Sequence, residues 1–161
     1  MTEFVTIGAF GWTEDGFFQA LQAAGVEVFC DLRQRRGVRG AEYAFVNSQR
    51  LQNRLADLGI RYLHRLDLAP TLTVRQIQHD ADAAGKTAKR QRAVLSPDFA
   101  AAYQRECLAG FDSARFLAEL GPEVRVVALF CVEREAAACH RSLLAARLES
   151  DLGVEVRHLI P

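Results

Sequence analysis

Between Val124 and Cys131 a single charged residue, Arg125, interrupts an otherwise apolar run. A strand this apolar on both faces must be covered on both, as parallel strands in α/β proteins are. The rest of the chain keeps the same rhythm. Phe4-Val5-Thr6-Ile7 reads as a short strand broken by Gly8 and Gly11. Thr13 is placed to cap a helix in which Phe17, Leu21 and Ala24 recur at helical spacing, closed by Gly25. Val26–Cys30 is a second strand, so the opening is a βαβ unit with parallel pairing. After an Arg-rich loop, Asn47 is expected to cap a helix carrying Leu51, Leu55 and Leu58, ended by Gly59, and Ile60–Leu63 is a third strand.

The stretch 67–97 breaks the pattern: it is polar, holds Lys86, Lys89, Arg90 and Arg92, and supports one weak helix over Val74–Ala84. It reads as an insertion. Helices are expected from Pro97 to Gly110, over Ser113–Leu120, and over Glu135–Leu152 with Leu144, Leu148 and Leu152 in line; Val154–Arg157 is a last strand. The expectation is one three-layer α/β domain over residues 1–161, built on a mainly parallel sheet of four or five strands.

Composition narrows the function. At 161 residues the chain suffices for one domain, which at this size hides roughly two-thirds of its unfolded surface. Lys plus Arg balances Asp plus Glu at 20 each, whereas chains that coat nucleic acid are usually basic overall. Nothing approaches the ~20 apolar residues of a membrane-spanning helix, and the acid in Met1-Thr2-Glu3 is unlike a secretory signal. Four cysteines, without a CxxC pair, suggest reduced thiols in the cytoplasm. Spacing implies no metal set, although Glu and His at a rim are able to recruit one.

In an open parallel sheet, ligands bind where strands exit. Gly8–Trp12, Asp31–Arg33, His64-Arg65 and Glu133-Arg134 are the exits, and Cys139-His140-Arg141 follows the last of them. Asp31 and Arg33, two apart, point the same way, so the Arg fork is free to read a phosphate or carboxylate; the plainer alternative is a rim ion pair. Glu133 is a candidate general base beside Cys131, or a first-turn carboxylate favoured by the helix dipole. Arg141, at a helix start, is a candidate anion grip. His140 is in line with Leu144 and Leu148, which also fits a buried, hydrogen-bonded ring, and Cys139 fits either a low-pKa thiol or the core. Arg33, Arg35, Arg36 and Arg39, followed by Tyr43 and Phe45, suit phosphates and stacked bases. Cys30 with Arg36 matches the Cys-x5-Arg spacing of thiol phosphatases, but Asp31 inside that loop and the glycines after it argue against the match.

Thr6-Ile7-Gly8, Asp31-Leu32-Arg33, and Cys-x-Glu, five residues, then Cys-His-Arg (Cys131, Glu133, Cys139-His140-Arg141) resemble the domain of unknown function 488 (DUF488) family over nearly the whole chain. Tyr43-Ala44-Phe45 and Asn47 are similar to one branch of it, while Cys30 stands where the family commonly carries an aliphatic residue. The resemblance implies the fold and marks residues, and carries no reaction. The leading expectation is a rim pocket for a nucleotide or nucleic acid. In it Arg33, Arg36, Arg141 and Tyr43 bind, and Asp31, Glu133 and His140 serve proton transfer in a hydrolase or transferase. Two alternatives stand beside it: a thiol enzyme using Cys131 or Cys139, and a non-catalytic module binding nucleic acid or protein. Cofactor and oligomeric state are left open.

Overall fold

In a computed structural model describing residues 1–161, five parallel strands form one sheet. They are β1 (Glu3–Ile7), β2 (Val28–Asp31), β3 (Arg61–His64), β4 (Val126–Phe130) and β5 (Val156–Leu159), in the order β3-β2-β4-β1-β5. Six helices connect them: α1 (Glu14–Ala23), α2 (Ser48–Asp57), α3 (Leu72–Ala84), α4 (Pro97–Tyr103), α5 (Ser113–Leu120) and α6 (Arg141–Leu152). No helix is long and apolar enough to cross a membrane.

Strand alternation sorts the core into two layers. Val5, Ile7, Phe29, Ala128 and Phe130 face α1 and α2 through Phe17, Phe18, Leu21, Leu51 and Leu55. Phe4, Val28, Cys30, Val127 and Leu129 face the other helices through Val74, Phe99, Tyr103, Phe116, Leu144 and Leu148. Both faces of β4 are therefore buried, as its apolar run requires. The stretch 67–97, expected to lack an apolar stripe, contributes Leu68 and Val74 to the second layer.

Local signals act largely as expected. Thr13 Oγ1 accepts the Gly16 N–H, capping α1; Ser96, not singled out from the sequence, caps α4 by accepting the Phe99 N–H. Three expectations are corrected. Asn47 precedes α2 without capping it; its Oδ1 accepts the Val38 N–H and ties down the Arg-rich loop. Helix α6 begins at Arg141, not Glu135, because residues 136–138 form a separate 3-10 turn. Helix α4 ends at Tyr103 and continues as a π-helical turn over Gln104–Leu108.

The connections after β1 and β2 run through α1 and α2 on one face, toward β3, whereas the connection after β4 runs through α6 on the other face, toward β5. At the carboxyl ends of the neighbouring strands β2 and β4 the chain thus departs in opposite directions. This is the switch point at which open α/β sheets leave a crevice.

Candidate functional site

A cavity of about 500 Å³ opens at that point. Arg33, Arg35 and Arg39 reach it from the segment after β2, and Cys131, Val132 and Glu133 from the end of β4. Cys139 and His140 enter just ahead of α6, Arg75, Gln78 and His79 from α3, and Lys89 and Arg92 from the basic run. The exits are stitched together: the Ala9 and Phe10 N–H groups donate to Val132 O at 3.0 Å, and Leu32 N–H donates to Phe130 O at 3.0 Å. Gly8 lies so close to Glu133 that a Cβ there would overlap its carbonyl oxygen.

Arg33 is built into the wall. Its Nε donates to Asp31 Oδ1 at 2.9 Å and its Nη2 to Asp31 Oδ2 at 2.8 Å, with both side chains buried. Asp31 also accepts the Arg33 N–H at 3.1 Å and the Tyr62 O–H at 2.7 Å. The guanidinium stacks 4.8 Å from the Phe130 ring centroid. Its Nη1, buried like the rest, has no partner. A charged donor left unpaired in the interior costs about 1–3 kcal/mol or more, and Nε of Arg141 is the second guanidinium nitrogen in that position.

Glu133 lines the same cavity. Oε1 accepts Arg92 Nη2 at 2.8 Å and pairs with Lys89 Nζ at 3.7 Å, while Oε2 is buried and unpartnered. Burial alone would raise this carboxyl, but Lys89, Arg92 and His140 outweigh it and bring it down to about 2. Arg92 further donates to Asp82 Oδ2 at 2.6 Å and to Ala138 O at 3.1 Å. Its side chain is only 7% exposed, so the end of the basic run is internal structure, not a solvated arm.

His140 Nε2 is 2.8 Å from Leu32 O. A carbonyl only accepts, so Nε2 carries a proton and Nδ1 is the variable nitrogen. Nδ1 lies 3.7 Å from Cys139 Sγ, and the sulfurs of Cys131 and Cys139 and one ring nitrogen all fall within 4.8 Å of one another. Burial opposes the charged ring, yet Cys131, Glu133 and the Leu32 carbonyl together raise its pKa. The neighbouring Cys139 and burial push the Cys131 thiol well above its ordinary range.

Several expected residues do other work. Asp31 is fully buried behind Arg33, holds that cation and lies outside the cavity lining. Arg141, expected as the anion grip, is 1% exposed and also outside the lining; its Nη1 and Nη2 donate to Glu133 O at 2.7 Å and Arg134 O at 3.0 Å. It braces the loop that carries Glu133. Arg36 turns to the Tyr62 hydroxyl at 3.4 Å, and the Tyr43 hydroxyl accepts the Gly11 N–H at 2.9 Å; neither residue lines the cavity. Cys30 is fully buried and burial pushes its thiol up to about 12, which removes the phosphatase-like alternative.

Residues not singled out from the sequence include Arg75, Gln78, His79 and Phe99. One signal was available for Gln78: a polar side chain one turn after Val74 on an amphipathic helix, where it is buried and bonded to Asp82 and the Ser96 N–H.

The family described as Domain of unknown function DUF488 matches residues 14–148. No curated protein and no solved structure matches the chain.

Proposed function

Because the chain belongs to the DUF488 family, whose description names no reaction, we propose a function from the site alone: the switch-point crevice binds a phosphate-bearing small molecule of nucleotide size. The observation that carries this reading is Arg33, a residue of the cavity lining whose buried guanidinium keeps one nitrogen, Nη1, without a partner. Charge supports it. Six cationic side chains line the cavity (Arg33, Arg35, Arg39, Arg75, Lys89, Arg92) against one carboxylate, Glu133. Arg35, Arg39 and Arg75 make no ion pair within the chain, leaving a surplus suited to a dianion. A volume of about 500 Å³ lies within the usual range for a small-ligand site, and Phe10 and Phe99 supply apolar surface for the rest of the ligand.

The same geometry favours binding over acid–base chemistry by the expected trio. Asp31 is fully hydrogen-bonded, Glu133 is held ionised, and His140 turns its variable nitrogen to a thiol. A crevice of this volume suits a nucleotide better than a stretch of nucleic acid, which needs a continuous basic track.

Calorimetric titration with purine and pyrimidine nucleoside monophosphates, each beside its phosphate-free nucleoside, tests the reading. The expected result is saturable binding of the monophosphates, weakened by salt, and at least tenfold weaker binding of the nucleosides. Equal affinity with and without the phosphate, or none at millimolar ligand, would overturn it.

A further inference from the structure

Cys131, Cys139 and His140 come from two separate stretches of chain, the end of β4 and the residues leading into α6. The spacing, with seven residues between the cysteines, is unlike the short loops of structural zinc motifs. The fold nevertheless gathers two sulfurs and a ring nitrogen within 4.8 Å of one another. We propose that these three residues hold a single zinc-class divalent cation at the inner end of the cavity. The proposal does not depend on phosphate binding, which Arg33 would support with or without a metal.

Four observations carry it. First, one donor pair already has the spacing of a zinc site, and the third donor is within 4.8 Å of both. Tetrahedral zinc, with sulfur at about 2.3 Å and imidazole nitrogen at about 2.0–2.1 Å, sets S and N roughly 3.6 Å apart; Cys139 Sγ and His140 Nδ1 are 3.7 Å apart. Second, the imidazole is oriented as a ligand. Nε2 donates to Leu32 O at 2.8 Å, the outer-shell bond that fixes a metal-binding tautomer and leaves Nδ1 as the donor. Third, charge closes locally. The cation displaces one proton from each thiol, both released to solvent, and two thiolates with a neutral imidazole cancel its charge. No net charge is then buried, and the ion pairs of Glu133 and Asp31 are untouched. Fourth, the three side chains are buried yet line the cavity, so a fourth coordination position faces it. Three protein ligands and an open position are the pattern of catalytic zinc, not of closed structural sites.

Two thiolates and one imidazole favour zinc over magnesium, calcium or manganese, which prefer oxygen donors. The cavity admits the ion and its ligand, so this would be a centre that meets substrate.

The test uses the reduced full-length chain and cobalt(II) alone, then zinc(II) alone. The expected result is one equivalent of cobalt bound with thiolate-to-cobalt charge-transfer absorption of two-thiolate intensity, discharged by one equivalent of zinc. Cys131→Ser and Cys139→Ser should each weaken binding at least tenfold. Cys107→Ser, which is not one of the three clustered residues, should leave it unchanged. Absence of the charge-transfer absorption, or binding unaltered by both serine variants, would overturn the proposal. If either serine variant fails to fold, by far-UV circular dichroism, the wild-type band decides: two-thiolate intensity supports the site, and intensity from one thiolate or none overturns it.

Discussion

Asp31 shows how a residue's identity and its role separate. Its place beside Arg33 at a strand end is visible in the sequence, because alternation on a strand puts positions two apart on one side. What remains hidden is depth. The Asp31 carboxylate takes four hydrogen bonds and never reaches the cavity, whereas Arg33 keeps one nitrogen free. Asp31→Asn should therefore act through Arg33, leaving a buried guanidinium without its counter-charge. The expected cost is about 3 kcal/mol in urea unfolding, together with weaker binding of phosphate-bearing ligands; unchanged stability would contradict the positioning role. Arg141 is the converse case. A helix start and a guanidinium suggested a ligand contact, but the side chain lies beneath the loop and holds its carbonyls. No local pattern distinguishes those two uses.

Cys30 gives a pH prediction at the same scale. Burial pushes its folded pKa from 9.0 to about 12, so above pH 9 the unfolded chain releases this proton while the folded chain keeps it. The unfolded state then binds fewer protons, and stability falls as pH rises between those values, with a limiting slope of about 1.4 kcal/mol per pH unit. Urea unfolding at a series of alkaline pH values should show a shallower decline in Cys30→Ala than in the wild type. Parallel declines would contradict the assignment.

Among the elements, strands and core helices were the most readable, since their apolar periodicity reflects burial that does occur on both faces of the sheet. The start of α6 was not. The expected helix from Glu135 begins at Arg141, because the intervening residues run as a loop and 3-10 turn that bring the Glu133 and Arg134 carbonyls to the Arg141 guanidinium. Likewise Asn47 has the right side chain for a cap but spends it on Val38, nine residues back. Tertiary partners outbid local propensity in both cases. Gly8 belongs to this scale too, since it sets how closely the β1 and β4 exits approach. Gly8→Ala, forced against the Glu133 backbone, should destabilise by about 1–3 kcal/mol and loosen ligand binding. Wild-type stability and affinity in that variant would show that the exits are not packed as described.

Across the whole molecule, the parallel sheet and the convergence of its exits were legible because connection rules leave few alternatives once the strands are known. The far wall of the cavity was not. It comes from α3 and the basic run, within the long polar connection between β3 and β4, and only the folded chain reveals that Arg92 is threaded between Asp82 and Glu133. Polar composition in that stretch reads as solvation; in the structure it faces a crevice with surplus positive charge. The proposed phosphate site is this crevice, at the switch between β2 and β4, with Arg33 in its wall. A crystal structure of the chain saturated with a nucleoside monophosphate locates that group directly. The phosphate is expected within the crevice, at about 3 Å from guanidinium nitrogens of its lining arginines Arg33, Arg35, Arg39 or Arg75; a phosphate bound outside the crevice would contradict that placement.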